Sequence, residues 1–287
     1  MAGKAAAKQK GPGVKPDLAT CCGLALAFGG ILGGLMLEGG SVKDIAQVTA
    51  ALIVLGGTLG AVMVTSPVSV LMGAAKKLPL VFFDKAPNSD AIIEEIIQYA
   101  TKARKSGIVS LELDAEAIQD PFLKKALNLA IDGMELTELR KMMELEIGVE
   151  QQHADEEAKV YDDAGGYAPT IGIIGAVLGL IQVMKNLENI EEVGRGIGVA
   201  FVATVYGIGV ANLFFLPAGG KIRARTQRLI QMQEMILEGV SGIVEGLNPR
   251  LIQNKLEAYT RQDAGGKAAK PAKDKTAAVP EPAPAKN

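Results

Sequence analysis

Residues 167–185 read YAPTIGIIGAVLGLIQVMK, an apolar run carrying a proline and three glycines that meets no acid or base until Lys185. Glycine and proline this dense weaken or break a helix in water. The run is nevertheless about as long as the ~20 residues a helix needs to cross a bilayer. Working outward, four such segments emerge: Leu18 to Leu37, Val48 to Ala75, Ala164 to Met184 and Gly196 to Leu216. Tryptophan is absent, aromatic residues make up 4% of the chain, and the mean hydropathy is +0.22. The apolar excess therefore lies in these runs rather than in an aromatic core. A bundle of buried helices in a soluble protein is the alternative, and four runs of this length in one chain speak against it. The expected fold is all-α: a polytopic membrane protein with four transmembrane helices and a helical cytoplasmic domain.

Basic residues set the expected orientation. The leader MAGKAAAKQKGPGVK holds four lysines and no acid, and KIRARTQR after the fourth run holds four bases in eight residues. The first connection, EGGSVKD, has one lysine against two acids. Excess Lys and Arg mark the cytoplasmic side, so both termini and residues 76–163 are expected inside, with short external loops at 38–47 and 185–195. No small-residue cleavage site closes the first run, so the leader is expected to stay attached. The chain divides into a basic cytoplasmic leader (1–16), spans one and two (17–75), a cytoplasmic helical domain (76–163), spans three and four (164–217), a helical extension (218–262) and an Ala/Pro/Lys tail (263–287) whose composition predicts disorder.

No acid, base or histidine lies inside any of the four runs. An ion path through this chain's own side chains would require one at membrane depth, so if an ion crosses here the titrating group must come from another chain. The polar residues at depth are Thr20, Thr58, Thr65, Ser66, Thr170, Gln182, Thr204, Tyr206 and Asn212. Helices in lipid gain nothing from hydrophobic burial and approach closely through small residues. Gly175 and Gly179 make one GxxxG pair, Ala203, Gly207 and Ala211 form an i, i+4, i+8 stripe, and Gly29/Gly33, Gly30/Gly34 and Gly56/Gly60 repeat the theme. Generic membrane packing explains these as well as a specific interface does. Pro169 and Pro217 fall at the same membrane level near the cytoplasmic side, each removing a backbone donor; they read either as bending points or as ordinary helix-end punctuation.

The pair GGYAPTIGIIGAVLGLIQVMKNL and VGRGIGVAFVATVYGIGVANLFFLP resembles the third and fourth spans of the MotA/TolQ/ExbB proton-channel family in its flagellar stator branch, and the similarity continues through IIQYATKARKSGIVSLELD. The resemblance implies an ion-driven machine of the bacterial inner membrane, without a cofactor. In it five such chains surround a dimer of a single-span MotB-type partner whose membrane aspartate titrates, and the Gly/Ala face packs against that partner. By the same resemblance Pro169 and Pro217 match the prolines that couple ion passage to movement. Arg104 and Glu112 match the charged pair that meets the rotor protein FliG, and Lys105 matches an extra base of sodium-type relatives. Those relatives carry two threonines facing the aspartate, whereas this chain has Ala176 and Thr204; a stripped sodium ion wants several hard oxygens, so proton coupling is expected, with sodium as the alternative.

Independent of any resemblance, DAIIEEIIQYATKARK is an amphipathic helix with Ile92, Ile93, Ile96, Ile97 and Ala100 on one stripe and Gly107 beyond its end. Arg104 falls near that stripe at 100° per residue, so a stem covering apolar surface is the competing explanation for it, and a solvated acid is the competing one for Glu112. Asp120 and Pro121 read as cap and first turn of the next helix, with Asp132-Gly133 ending it. Residues 76–163 hold 11 bases and 19 acids, a net of −8, which disfavours nucleic acid as partner. His153 is the only histidine and Cys21 and Cys22 are adjacent, so neither a zinc site nor a Cys-His nucleophile is supported; the chain is not expected to be an enzyme. GRGIG at 194–198 lacks a preceding strand and reads as a closely packing helix entry. Two other readings stand beside the stator: a TolQ/ExbB-like energiser of envelope transport, disfavoured by the four-span, inside-terminus pattern, and a non-conducting membrane scaffold.

Overall fold

The computed structural model describes residues 15–84 and 89–263; residues 1–14 of the leader and the tail from 264 lie outside them. Among the described residues the fold is helical apart from one two-residue antiparallel pairing, Lys15–Pro16 (β1) with Phe83–Asp84 (β2). Helix α1, Leu18–Leu37, begins at Asp17, whose carboxylate accepts the Thr20 amide at 3.1 Å, and ends at Gly39 with φ 84°. A short helix, α2 (Val42–Ile45), fills the first connection.

The second apolar run is corrected by the structure. Helix α3 covers Val48–Thr65 and stops there; Ser66 is extended (φ −120°, ψ 137°) before Pro67, and Val68–Lys77 forms a separate helix, α4. Proline clashes with a helical conformation at the residue before it, so the single stretch expected over 48–75 is broken. Helix α5 (Pro79–Phe82) leads into β2.

The polar domain follows: α6 (Ser89–Ser106), a 3₁₀ turn at Ile108–Leu111, α7 (Glu112–Ala117) and α8 (Pro121–Ile131). The punctuation agrees with the sequence. Gly107 ends α6 at φ 81°, the Asp120 carboxylate accepts the Leu123 amide at 2.9 Å with Pro121 in the first turn, and Gly133 turns the chain at φ 79°.

Two very long helices then join this domain to the apolar region: α9, Leu136–Lys185, of 50 residues, and α10, Ile190–Val244, of 55. At 1.5 Å per residue α9 is about 75 Å long, more than twice a ~30 Å hydrocarbon core. The expected boundaries at 163/164 and 217/218 therefore fall inside continuous helices. Helix α11 (Pro249–Asp263) packs back on α6.

Two larger cores hold the chain together, with a small third cluster of Ala50, Val54, Val202 and Ala203 between α3 and α10. The polar domain buries Ile96, Leu111, Leu123, Leu127, Leu139, Met143, Ile236 and Leu256 where α6 to α8 meet the far ends of α9 and α10; each such side chain contributes about 1.5–3 kcal/mol of transfer free energy. A second core forms where the long helices approach the apolar region, from Val62, Ala74, Val81, Tyr161, Ala168, Phe215 and Ile222. Helix α1 contributes no buried residue to either. Four helices, α1, α3, α9 and α10, are long and apolar enough to cross a membrane.

Candidate functional site: the α9/α10 hairpin and its polar end

The glycine pattern of the third and fourth runs is explained by one antiparallel seam. A β-carbon built on Gly179 would lie 2.7 Å from the Gly196 carbonyl oxygen and 2.8 Å from the Ala200 nitrogen; on Gly175, 2.7 Å from Ala203 Cβ; on Gly172, 2.9 Å from the Ala203 carbonyl oxygen; on Gly207, 2.5 Å from the Ala168 carbonyl oxygen. Real β-carbons do not approach that closely, so these positions have room only for hydrogen. Gly175, Gly179, Ala203, Gly207 and Ala211 are all buried. The packing face read from the sequence is therefore real in its geometry, but it is occupied by the neighbouring helix of the same chain, which corrects the expectation that it meets a partner. Helix α3 lies against the same seam, with Ile53 at Gly175 and Ile171 at Gly57. Of the paired glycines singled out in the first two apolar runs, Gly29, Gly30, Gly33 and Gly34 on α1 and Gly56 and Gly60 on α3 meet nothing within 4 Å. Within GRGIG, Gly196 is packed against Val183 and Gly179 whereas Gly194 is open.

Ala176 and Thr204 sit half-buried along the edge of this seam. Thr204 donates its hydroxyl back to the Ala200 carbonyl at 3.2 Å, leaving the oxygen's lone pairs free. Thr58 is fully buried and donates to Val54 at 2.6 Å across a π-turn at Leu52–Gly56. Two residues beyond Thr204, Tyr206 donates to the Ile45 carbonyl at 2.5 Å and accepts the Gln47 amide at 3.3 Å, tying the first connection to α10.

Both prolines lie near the seam but not opposite one another: Gly165 faces the Leu216 side chain and Ala168 faces Gly207, so Pro217 comes level with the turn around Gly165 and Pro169 with the turn after Gly207. Pro169 lies within α9. Pro217 follows a π-turn at Ala211–Phe215, in which the Leu216 amide reaches Ala211 five residues back. A π-turn absorbs one extra residue where the α ladder is interrupted, and Pro217 supplies that interruption because it offers no amide to Leu213. The sequence did not reveal the π-turn.

A charged cluster just past Pro217 was also missed. The Asp17 carboxylate takes Lys221 at 2.5 Å and Arg225 at 2.6 Å, and the Arg225 guanidinium, with its side chain 9% exposed, also donates to the Leu80 and Phe83 carbonyls. The Asp17 amide donates to Phe82 at 2.8 Å. The Lys221 hydrogen bond is the main cause that holds the Asp17 carboxyl down at about 2 from 3.8, against the opposing effect of burial. A depressed carboxyl contributes stability above its unfolded value and loses it only as pH falls through the folded one, so this cluster is fully charged at any pH above about 4. Arg223 pairs with Asp162 and Lys77 with Glu157 nearby. Bases that had served only to orient the chain thus hold three segments together; the available signal was a lone acid directly before the first run.

Arg104, Lys105 and Glu112 are all exposed, and no ion pair holds any of them among the described residues. The α6 residues turned inward are Ile93, Ile96 and Ala100, with Ile92, Ile97 and Ala103 partly covered, so Arg104 does not lie over the apolar stripe. A Lys102–Asp114 pair at 2.6 Å pins the end of α6 to α7, which sets Arg104 and Glu112 at the same corner of the domain. No group of three or more potential metal ligands occurs among the described residues.

Long helices shared between an apolar hairpin and a folded polar domain define the class: a helical protein with four helices long and apolar enough to cross a membrane. The comparisons narrow it. Residues 114–235 match the MotA/TolQ/ExbB proton channel family, and residues 21–107 match the motility protein A N-terminal family. Motility protein A of Bacillus subtilis is 34% identical over 250 residues, spanning 85% of this chain and 90% of that protein, and the Helicobacter pylori protein of the same name is 35% identical over 243 residues, spanning 85% and 95%. The chemotaxis protein PomA of Vibrio alginolyticus is 30% identical over 246 residues, 86% of this chain and 96% of PomA. Among solved structures, C. jejuni MotAB superposes with a TM-score of 0.80 at 34% identity over 85% of this chain and 95% of that one, and the Bacillus subtilis flagellar MotAB stator complex with 0.77 at 31%, over 84% and 95%. The chain belongs to the MotA/TolQ/ExbB proton channel family.

Proposed function

We infer that this protein is a stator subunit of the bacterial flagellar motor, which works with a MotB-type single-span subunit to turn ion flow into torque on the rotor protein FliG. The observation that carries the mechanism is continuity: α9 and α10 run unbroken from a hairpin without any ionisable side chain in its apolar part to the domain that displays Arg104, Lys105 and Glu112. An ion needs a titrating group at membrane depth, so the partner's aspartate supplies it. A protonation event there reaches the rotor through helices rather than through a flexible linker. Five copies would surround the partner dimer, with α1 towards lipid or a neighbouring copy.

Both termini and the polar domain lie in the cytoplasm in this reading, supported by the lysine-rich leader and KIRARTQR. Cysteine labels at Gly40 and Glu188 should react from outside, and labels at Ala7, Glu135 and Ala268 only after permeabilisation. An N-terminus labelled from outside would move the chain to the TolQ/ExbB branch.

The coupling ion is the proton. Sodium requires several hard oxygens around it, and Ala176 offers a methyl group where a hydroxyl would help. Thr204 with a water suffices for a proton. Cells relying on this stator should rotate in sodium-free buffer and stop with a protonophore; rotation that stops on sodium withdrawal at constant proton-motive force would overturn the assignment.

Arg104 and Glu112 face the rotor. Because Arg104 is exposed and covers no core, Arg104→Glu should leave membrane abundance unchanged and depress torque, with partial rescue by a charge reversal on FliG. Neutral changes should do less, since exposed pairs are worth ~0.2–1 kcal/mol. Loss of the protein from the membrane in Arg104→Glu would point to a packing role.

A further inference from the structure

The cluster beyond Pro217 has a geometry that the ion path and the rotor face do not use. Lys221 and Arg225 lie four and eight residues after Pro217, hence on the same face of α10. That face looks across a cleft of about 380 Å³ at the first turns of α1; Thr20, Gly23 and Ala27 line one wall and Leu213, Pro217 and Lys221 the other. Helix α1 buries nothing of its own, so its position relative to α10 depends on how its start is anchored. The anchor is Asp17, which caps α1 through the Thr20 amide, binds Lys221 and Arg225 through its carboxylate, and donates its amide to Phe82. Arg225 closes the arrangement on the Leu80 and Phe83 carbonyls.

We propose that Asp17, Lys221 and Arg225 form a clasp that makes α1 and the 80–84 segment move with the polar half of α10 when α10 bends at Pro217, so that Asp17 and Arg225 are positioning residues for coupling. The proposal rests on the stator reading. The physical basis is that bending is useful only relative to something. The glycine seam holds the apolar half of α10 to α9, and the clasp ties the other half to α1. Motion at the π-turn and Pro217 then opens or closes the cleft between α1 and α10 as a unit. Released from the clasp, the polar half of α10 would bend without carrying α1, and ion passage would be spent without displacement of the outer helix.

The test expresses the full chain with its partner in cells lacking their own stator, and compares wild type, Asp17→Glu, Asp17→Asn, Arg225→Gln, and the exchanged pair Asp17→Lys with Lys221→Asp. Torque, ion influx and membrane abundance are measured together. In a Cys21→Ser, Cys22→Ser background, Gly23→Cys with Leu213→Cys reports cross-linking across the cleft. Asp17→Asn and Arg225→Gln are expected to lower torque severalfold and by a larger factor than ion influx, and to slow the cross-link. Asp17→Glu should keep most of the torque, and the exchanged pair should regain part of it. Torque and influx falling in step with membrane abundance, in the neutral variants and the exchanged pair alike, would reduce the cluster to a packing contact and overturn the proposal, as would unchanged torque with an unchanged cross-link. If wild type restores no rotation the stator reading fails instead, and the cross-link comparison still decides whether the clasp exists.

Discussion

Replacing Gly207 with alanine is expected to destabilise the folded protein, while the same change two residues later, at Gly209, is expected to stabilise it slightly. A β-carbon at Gly207 would come within 2.5 Å of the Ala168 carbonyl oxygen and 3.1 Å of the Gly172 α-carbon, whereas one at Gly209 meets nothing within 4 Å. The atoms in the way at Gly207 are main chain on both sides, so no side-chain rotation relieves the clash; α9 and α10 must separate. Overpacking of this kind costs about 1–3 kcal/mol, and in lipid the lost van der Waals contact has no hydrophobic term to replace it. At Gly209 the methyl group only removes the flexibility penalty of glycine in a helix, roughly 0.5–1 kcal/mol. Thermal midpoints of the detergent-solubilised protein measure both, and Gly179→Ala should follow Gly207→Ala. Equal responses at 207 and 209 would show that the seam does not hold the hairpin.

Substituting Pro217 with alanine should move stability and function in opposite directions. Alanine supplies the missing amide and removes the ring, which favours a continuous α-helix by up to about 3 kcal/mol, so the π-turn at Ala211–Phe215 loses its cause and the protein should become harder to unfold. If the interruption is where α10 bends, torque should fall to a small fraction of wild type with membrane abundance intact. Tethered-cell rotation together with thermal midpoints decides it. Rotation at wild-type level in a stabilised Pro217→Ala variant would return the proline to helix punctuation. Pro169→Ala should show the same pair of effects on α9.

Several elements were legible because a local signal has one physical outcome. Asp120-Pro121 before an apolar-periodic run reads as a helix start, and Gly107 and Gly133 end helices at positive φ. The run Leu18–Leu37 was bounded to the residue by its composition, with Asp17 as cap. The break at Ser66–Pro67 was legible in principle too, since a proline disfavours a helical conformation at its predecessor, but the apolar residues on either side carried the reading across it. Arg104 illustrates the opposite difficulty: a rotation of 100° per residue accumulates error along a helix, and only packing shows that Ala103 turns inward and Arg104 outward.

What the sequence determined by itself was the class: four apolar helices without an ionisable group at depth, small-residue faces, and a charged helical domain, all consequences of solvation that each segment carries alone. What only the tertiary structure decided was which surfaces those features meet. A GxxxG face states that something comes close, not what; the partner turned out to be the next helix of the same chain, because antiparallel neighbours joined by the short 186–189 link are in register before any other chain can compete. The clasp belongs to the same category. Asp17 and Arg225 are separated by 208 positions, and no local rule predicts a carboxylate and a guanidinium so far apart; they meet because the start of α1 packs at the level of the α10 turns just past Pro217, where a charge must be paired once it leaves water.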